Sequence, residues 1–81
     1  MNLSSTFMKT GTLSKQSEIK HFLNKLKASC QVNGSKLFDF DQLQEYRSLM
    51  GLQTDLQLII DALNQQGFLL FKGQRKYQLL I

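Results

Sequence analysis

Apolar side chains recur along this chain at two periods, and the switch between them marks out its elements. From Thr54 the chain reads Thr-Asp-Leu-Gln-Leu-Ile-Ile-Asp-Ala-Leu-Asn-Gln-Gln and then Gly67. Leu56, Ile59, Ile60 and Leu63 fall at i, i+3, i+4 and i+7, the apolar stripe of an amphipathic helix. Thr54 with Gln57 three residues on fits a capping box. Gly67 stands where a left-handed C-terminal cap is wanted, because glycine has no Cβ to clash there. The period then drops to two. Phe68 and Leu70 share one face and Leu69 and Phe71 the other. Lys72 to Arg75 can turn, and Tyr77, Leu79 and Ile81 then alternate with Lys76, Gln78 and Leu80.

Upstream, the spacing predicts a first helix that begins near Ser14 and ends between Ser29 and Val32. Ile19, Phe22, Leu23 and Leu26 form its stripe, and Cys30 extends it by a turn. Asn33, Gly34 and Ser35 break the pattern. Lys36 to Phe40 is a short extended segment, with Phe38 and Phe40 on one side and Asp39 on the other. Asp41 is placed to cap a second helix, with Gln44 three residues on. Leu43, Tyr46, Leu49 and Met50 are its inward side, and Gly51 ends it. The order is helix, strand, helix, helix, strand, strand. That is an α+β fold, the winged helix-turn-helix: three helices with a small three-stranded antiparallel sheet. The expected core is Phe22, Leu26, Phe40, Leu43, Ile59, Ile60, Leu63, Phe68, Leu70, Tyr77 and Leu79. Residues 1–12 show no steady period and read as a flexible leader, with the winged-helix domain over 13–81.

Composition narrows the chemistry. At 81 residues the chain is one domain with a modest core. Cys30 is the only cysteine and His21 the only histidine, so neither an internal disulfide nor a cysteine-based zinc site can form from this chain. Cys30 reads as a small core residue and His21 as a surface one. There is no G-x-x-x-x-G-K phosphate loop and no nucleophile–base pattern, so neither an enzyme nor a bound cofactor is expected. No apolar run approaches the roughly 20 residues of a membrane span, and no membrane contact is expected. The net charge of +4 permits contact with nucleic acid without establishing it.

Where the charges fall says more than their sum. In a helix-turn-helix the second helix of the pair enters the major groove. Here its outer face carries Gln53, Asp55, Gln57, Asp61, Asn64 and Gln65. Glutamine and asparagine can pair with adenine edges, but this face offers no cation to phosphate, and phosphate contacts supply most affinity. Basic residues gather at the hairpin tip, as Lys72, Arg75 and Lys76, and along the first helix, Lys20 among them. These are the candidates for weak, sequence-tolerant DNA contact, although lysines on a hairpin edge also guard against edge-to-edge association. The candidates for protein docking are Asp55 and Asp61 on the helix and Leu69, Phe71 and Leu80 on the hairpin face turned from the helices. Packing of Phe71 against Phe7 and Met8 of the leader is the alternative use of that face.

The run from Leu63 through Gly73, with Lys76-Tyr-Gln-Leu79 after it, resembles the C-terminal end of the minichromosome maintenance helicase subunits. Among them it is most similar to the eighth paralogue, which is tied to homologous recombination and repair. The resemblance covers about Leu13 to Ile81, loosely over the first helix. It implies a non-catalytic appendage of an ATP-driven nuclear DNA helicase that docks proteins within a helicase complex, with weak non-specific DNA contact as a second property. The family's phosphate-binding and arginine-finger motifs are absent here, so no catalytic residue carries over. The isolated domain is expected to be a monomer. The alternative function is a stand-alone DNA-binding winged-helix regulator, which would carry basic residues on the Thr54 helix.

Overall fold

A computed structural model describes residues 14–81. The expected leader lies outside these residues, and so does the packing of Phe7 and Met8. The element order is α1 (Lys15–Asn33), β1 (Leu37–Asp39), α2 (Phe40–Met50), α3 (Leu56–Gln65), β2 (Leu69–Gly73) and β3 (Lys76–Leu79). The strands form one antiparallel sheet in the order β1-β3-β2. This is the winged helix, with α2 and α3 as the helix-turn-helix pair and β2–β3 as the wing.

The helix stripes converge on one core. Phe22, Leu26, Leu43, Ile59 and Leu63 are fully buried, and Ile19, Leu23, Leu52, Leu56 and Ile60 complete their shell. Phe40, Phe68, Tyr77 and Cys30 pack against it half-buried. Two expected inward residues are not there. Leu49 on α2 is 74% exposed, because six residues from Leu43 falls about 240° round the helix, off the face on which Tyr46 and Met50 pack against the core.

Two caps shift from their expected residues. Asp39 rather than Asp41 caps α2, accepting the Gln42 amide at 2.8 Å. β1 therefore ends at Asp39, and Phe40 is the first helical residue. Asp55 rather than Thr54 caps α3, accepting the Gln57 amide at 3.0 Å. A carboxylate at either helix start also meets the positive end of the helix dipole. At the far end of α3, Gly67 takes φ +82°, the left-handed conformation expected of it. The Phe68 amide then reaches back to the Leu63 carbonyl at 2.9 Å and the Gly67 amide to Asn64, a Schellman close.

The second misplaced residue, Leu70, follows from a bulge in the wing. Gln74 and Arg75, at φ +53° and +63°, make a two-residue turn between the paired Gly73 and Lys76. A regular hairpin closed by that turn would pair Leu70 with Leu79. The observed register pairs Phe71 with Tyr77, Leu70 with Gln78 and Leu69 with Leu79, and the pairing shifts between Phe71 and Gly73. Lys72 is the extra residue, and Gly73 at φ +87° absorbs the kink. One residue of slip turns the upstream strand over. Leu69 is therefore 1% exposed and Leu70 41% exposed, the reverse of the expected faces. Leu69→Ala should cost about 2–5 kcal/mol and Leu70→Ala less than about 1 kcal/mol. Urea denaturation of the two variants checks this, and equal losses would place both side chains in the core.

Candidate functional site

Helix α3 is set in place by a buried carboxylate. Glu18, on the first turns of α1, is 3% exposed. It accepts the Gln53 amide at 3.0 Å through both carboxylate oxygens and the Thr54 amide at 2.7 Å. Those amides lie in the link between α2 and α3, where no helix or strand partner exists for them. The Arg47 Nε donates to the Thr54 carbonyl at 2.6 Å, closing the link from the other side. The Gln53 amide above all, then the Thr54 hydroxyl and amide and the Arg47 charge, hold the Glu18 carboxyl below the ordinary glutamate range, against the opposing push of burial. A sign of this was present in the sequence. Glu18 stands at i−4 and i−8 from Phe22 and Leu26, so a carboxylate heads the apolar stripe.

With Leu56, Ile59, Ile60 and Leu63 inward, α3 turns Asp55, Gln57, Leu58, Asp61, Asn64 and Gln65 outward. The chain from Ser48 to Phe71 contains no lysine or arginine. Gln57 is tied between two acids: its amide donates to Asp55, and its Nε2 donates to Asp61 Oδ1 at 3.0 Å. Asn64 Nδ2 donates to the Leu69 carbonyl at 2.9 Å, fastening α3 to the wing. Of the four amide side chains expected on this face, Gln57 and Asn64 are thus held within the fold.

The basic wing tip folds down onto α2. Arg75 donates to Asp41 at 2.8 Å, lies 5.0 Å from the Phe40 ring centroid, and accepts the Phe40 amide on its carbonyl at 2.9 Å. Lys76 Nζ lies 3.8 Å from Asp39. All four side chains of these pairs are exposed or half-exposed, so each pair is worth ~0–1 kcal/mol. Lys72 is exposed, and no ion pair reaches it among the described residues. Lys20 borders a separate groove with Ser17, Leu23, Leu63 and Phe68. That groove lies at the end of the wing away from the turn, about five strand residues or 17 Å off. The four basic candidates are not one patch.

Of the docking candidates, Asp55, Asp61, Phe71 and Leu80 are exposed, whereas Leu69 is removed by the bulge, being in the core. Phe71 shares the inner sheet face with Leu69 but overhangs it. It is 56% exposed, with its ring centroid 5.2 Å from that of Tyr77. Between this overhang and α3 runs a groove of about 320 Å³, walled by Gln57, Ile60, Asp61 and Asn64 on the helix and by Leu69, Phe71 and Tyr77 on the wing. Tyr77, expected only as a core residue, and the exposed Leu58 were not among the docking candidates. The outer sheet face leaves Leu37, Leu70 and Leu80 exposed, with Leu37 and Leu70 flanking Gln78 across the three strands. His21 is exposed on α1, and no cluster of three metal-ligating side chains occurs among the described residues.

A family model described as the MCM8 winged helix domain matches residues 6–81. The DNA helicase MCM8 of Gallus gallus is 37% identical over 68 residues, 83% of this chain and 8% of that protein. The human DNA helicase MCM8 is 34% identical over the same share of each chain. The DNA replication licensing factor REC of Drosophila melanogaster is 29% identical over 66 residues, 82% of this chain and 8% of that protein. The chain therefore spans under a tenth of the length of these relatives.

Glu18→Gln keeps the size and removes the charge and one acceptor. It should cost about 1–3 kcal/mol at neutral pH. A carboxyl held below its ordinary range stabilises fully above the unfolded value of about 4.3, and the gain is lost as pH falls from there through the lowered native value. The variant's deficit should therefore shrink toward acid. A deficit that stays constant from pH 7 to pH 3 in chemical denaturation would mean the charge contributes nothing.

Proposed function

The chain belongs to the MCM8 winged helix domain family, and on that footing we propose that it is a non-catalytic, protein-docking module of a nuclear DNA helicase acting in recombination and repair. The observation that carries this is the charge on α3. The helix that a DNA-reading winged helix inserts into the major groove bears Asp55 and Asp61 and no cation, and a duplex would press those carboxylates against phosphates. The absence of a G-x-x-x-x-G-K run in the chain supports a non-catalytic role, with ATP hydrolysis belonging to another part of the parent protein. The relatives' names, which describe DNA helicases, support the helicase setting.

DNA contact enters as a minor property of the wing. Phosphate must compete with Asp41 for Arg75 and with Asp39 for Lys76, which leaves Lys72 as the freest cation of the tip. Titration of the isotope-labelled domain with a short duplex should show fast-exchange shifts at the wing in low salt and none that saturate at physiological salt. Alanine at Lys72, Arg75 and Lys76 together should abolish them. Gln57→Ala should leave them unchanged, and so should Asn64→Ala, at a stability cost of about 1 kcal/mol for the lost bond to Leu69. Tight binding to one sequence that disappears with Gln57→Ala would overturn the docking reading in favour of a sequence reader.

A further inference from the structure

We propose that the groove between α3 and the wing receives a cationic side chain, arginine or lysine, from a short partner segment with apolar neighbours. The inference deepens the docking reading and rests on it. The two walls of the groove differ in the way such a side chain requires. On the helix wall, Asp61 offers a carboxylate whose Oδ1 takes the Gln57 amide, while no donor among the described residues reaches its Oδ2. On the wing wall stand two aromatic rings, Phe71 and Tyr77, tilted at 46° to each other. A carboxylate facing aromatic rings attracts a cation twice, by charge and by the ring quadrupole. None of the seven lining residues is basic, so nothing in the groove repels it.

The size of the groove limits the occupant. About 320 Å³ is at the small end of ligand pockets and suits one or two side chains of an extended segment rather than a folded element. Ile60 and Leu69 line it but are themselves buried, so apolar area for the neighbours of the cation comes from Phe71, 56% exposed, and, outside the lining on the same helix, from Leu58, 47% exposed. Asp55, at the start of the same helix, extends the negative field that steers a basic segment inward. An acidic segment would meet carboxylates on α3 with no cation to offset them. A nucleic-acid strand would find rings to stack on only by bringing phosphates to the same two acids.

The probe is a capped Ala-Leu-Arg-Leu-Ala peptide, compared with its twin carrying citrulline in place of arginine, each titrated into the isotope-labelled domain. The arginine peptide should give saturable shifts at Gln57, Asp61, Phe71 and Tyr77, and the neutral twin should bind roughly fivefold to tenfold more weakly. Asp61→Asn keeps the Gln57 bond and removes the charge. Phe71→Leu keeps apolar bulk and removes the ring. Each should lower affinity by a similar factor with the spectrum otherwise unchanged, whereas Lys20→Ala should do nothing. Equal binding of the two peptides, or no shift at these residues, overturns the inference. Shifts centred on Leu37, Leu70 and Leu80 instead would sink the groove and leave the docking reading standing. Micromolar duplex binding that displaces the peptide and shifts all of α3 would sink both.

Discussion

The arrangement of this domain depends on one buried carboxylate. Glu18 lies at the seam where α1 meets the link between α2 and α3, and it takes up two backbone amides that the tight link leaves without partners. Taking an anion out of water is costly, and so is burying two unpaired amides. Satisfied together, the costs largely cancel, but only in one geometry. The link must pass close to the start of α1, and that fixes how α3 leaves α2. Arg47, reaching the Thr54 carbonyl from α2, holds the same link from its other side. Apolar packing alone tolerates sliding of one helix along another, whereas three charge-assisted bonds do not.

The wing obeys a different constraint, and comparing the two shows what could be read in the sequence. The helix stripes were legible because three or four residues per stripe vote for the same face; Ile59, Ile60 and Leu63 leave α3 no other phase. The run Phe68-Leu-Leu-Phe71 carries no such vote. Four apolar residues in succession fit either face of a strand, and the turn alone points to Leu70 as the partner of Leu79. The bulge at Lys72 decides otherwise, and a bulge is settled by how Leu69 fills the core against Leu79 rather than by any local pattern. The caps erred for a related reason. Asp39 and Asp41 both look like capping residues, as do Thr54 and Asp55. The choice is made by where β1 stops and by Glu18 already engaging Thr54, both tertiary facts. The docking candidates inherited the same error at Leu69 and at Phe71, both of which the bulge turns to the inner face, while Asp55 and Asp61 followed from the helix phase and stayed on the surface.

Charge is spent locally in a way that composition hides. The net charge of +4 suggests a basic surface. Yet the tip of the wing sets its arginine and one lysine against the two aspartates at the start of α2, and these acids serve the α2 dipole as well. What remains is divided: lysines along α1, acids on α3. A surface of this kind meets a partner with orientation rather than with bulk attraction.

The two walls of the groove between α3 and the wing are held with unequal firmness. The helix wall is fixed through Glu18 and a fully packed stripe. The base of the wing is equally fixed, since Leu69 and Leu79 are each 1% exposed and Asn64 binds the Leu69 carbonyl. The tip is not. Beyond the pairing of Lys76 with Asp39, it is seated by one backbone bond, two exposed ion pairs, the stacking of Arg75 on Phe40 and a turn whose two central residues, Gln74 and Arg75, adopt a left-handed backbone disfavoured for most side-chain-bearing residues. Exposed pairs of this sort weaken with salt and yield at about 1 kcal/mol or less. Phe71 stands between the two regimes, next to the bulge residue Lys72, paired with Tyr77 but more than half exposed to solvent. A side chain entering the groove can therefore move Phe71 and the tip while leaving the core and α3 unmoved. Its affinity is set by what it gains from Asp61 and the rings, less only the small cost of reseating the tip.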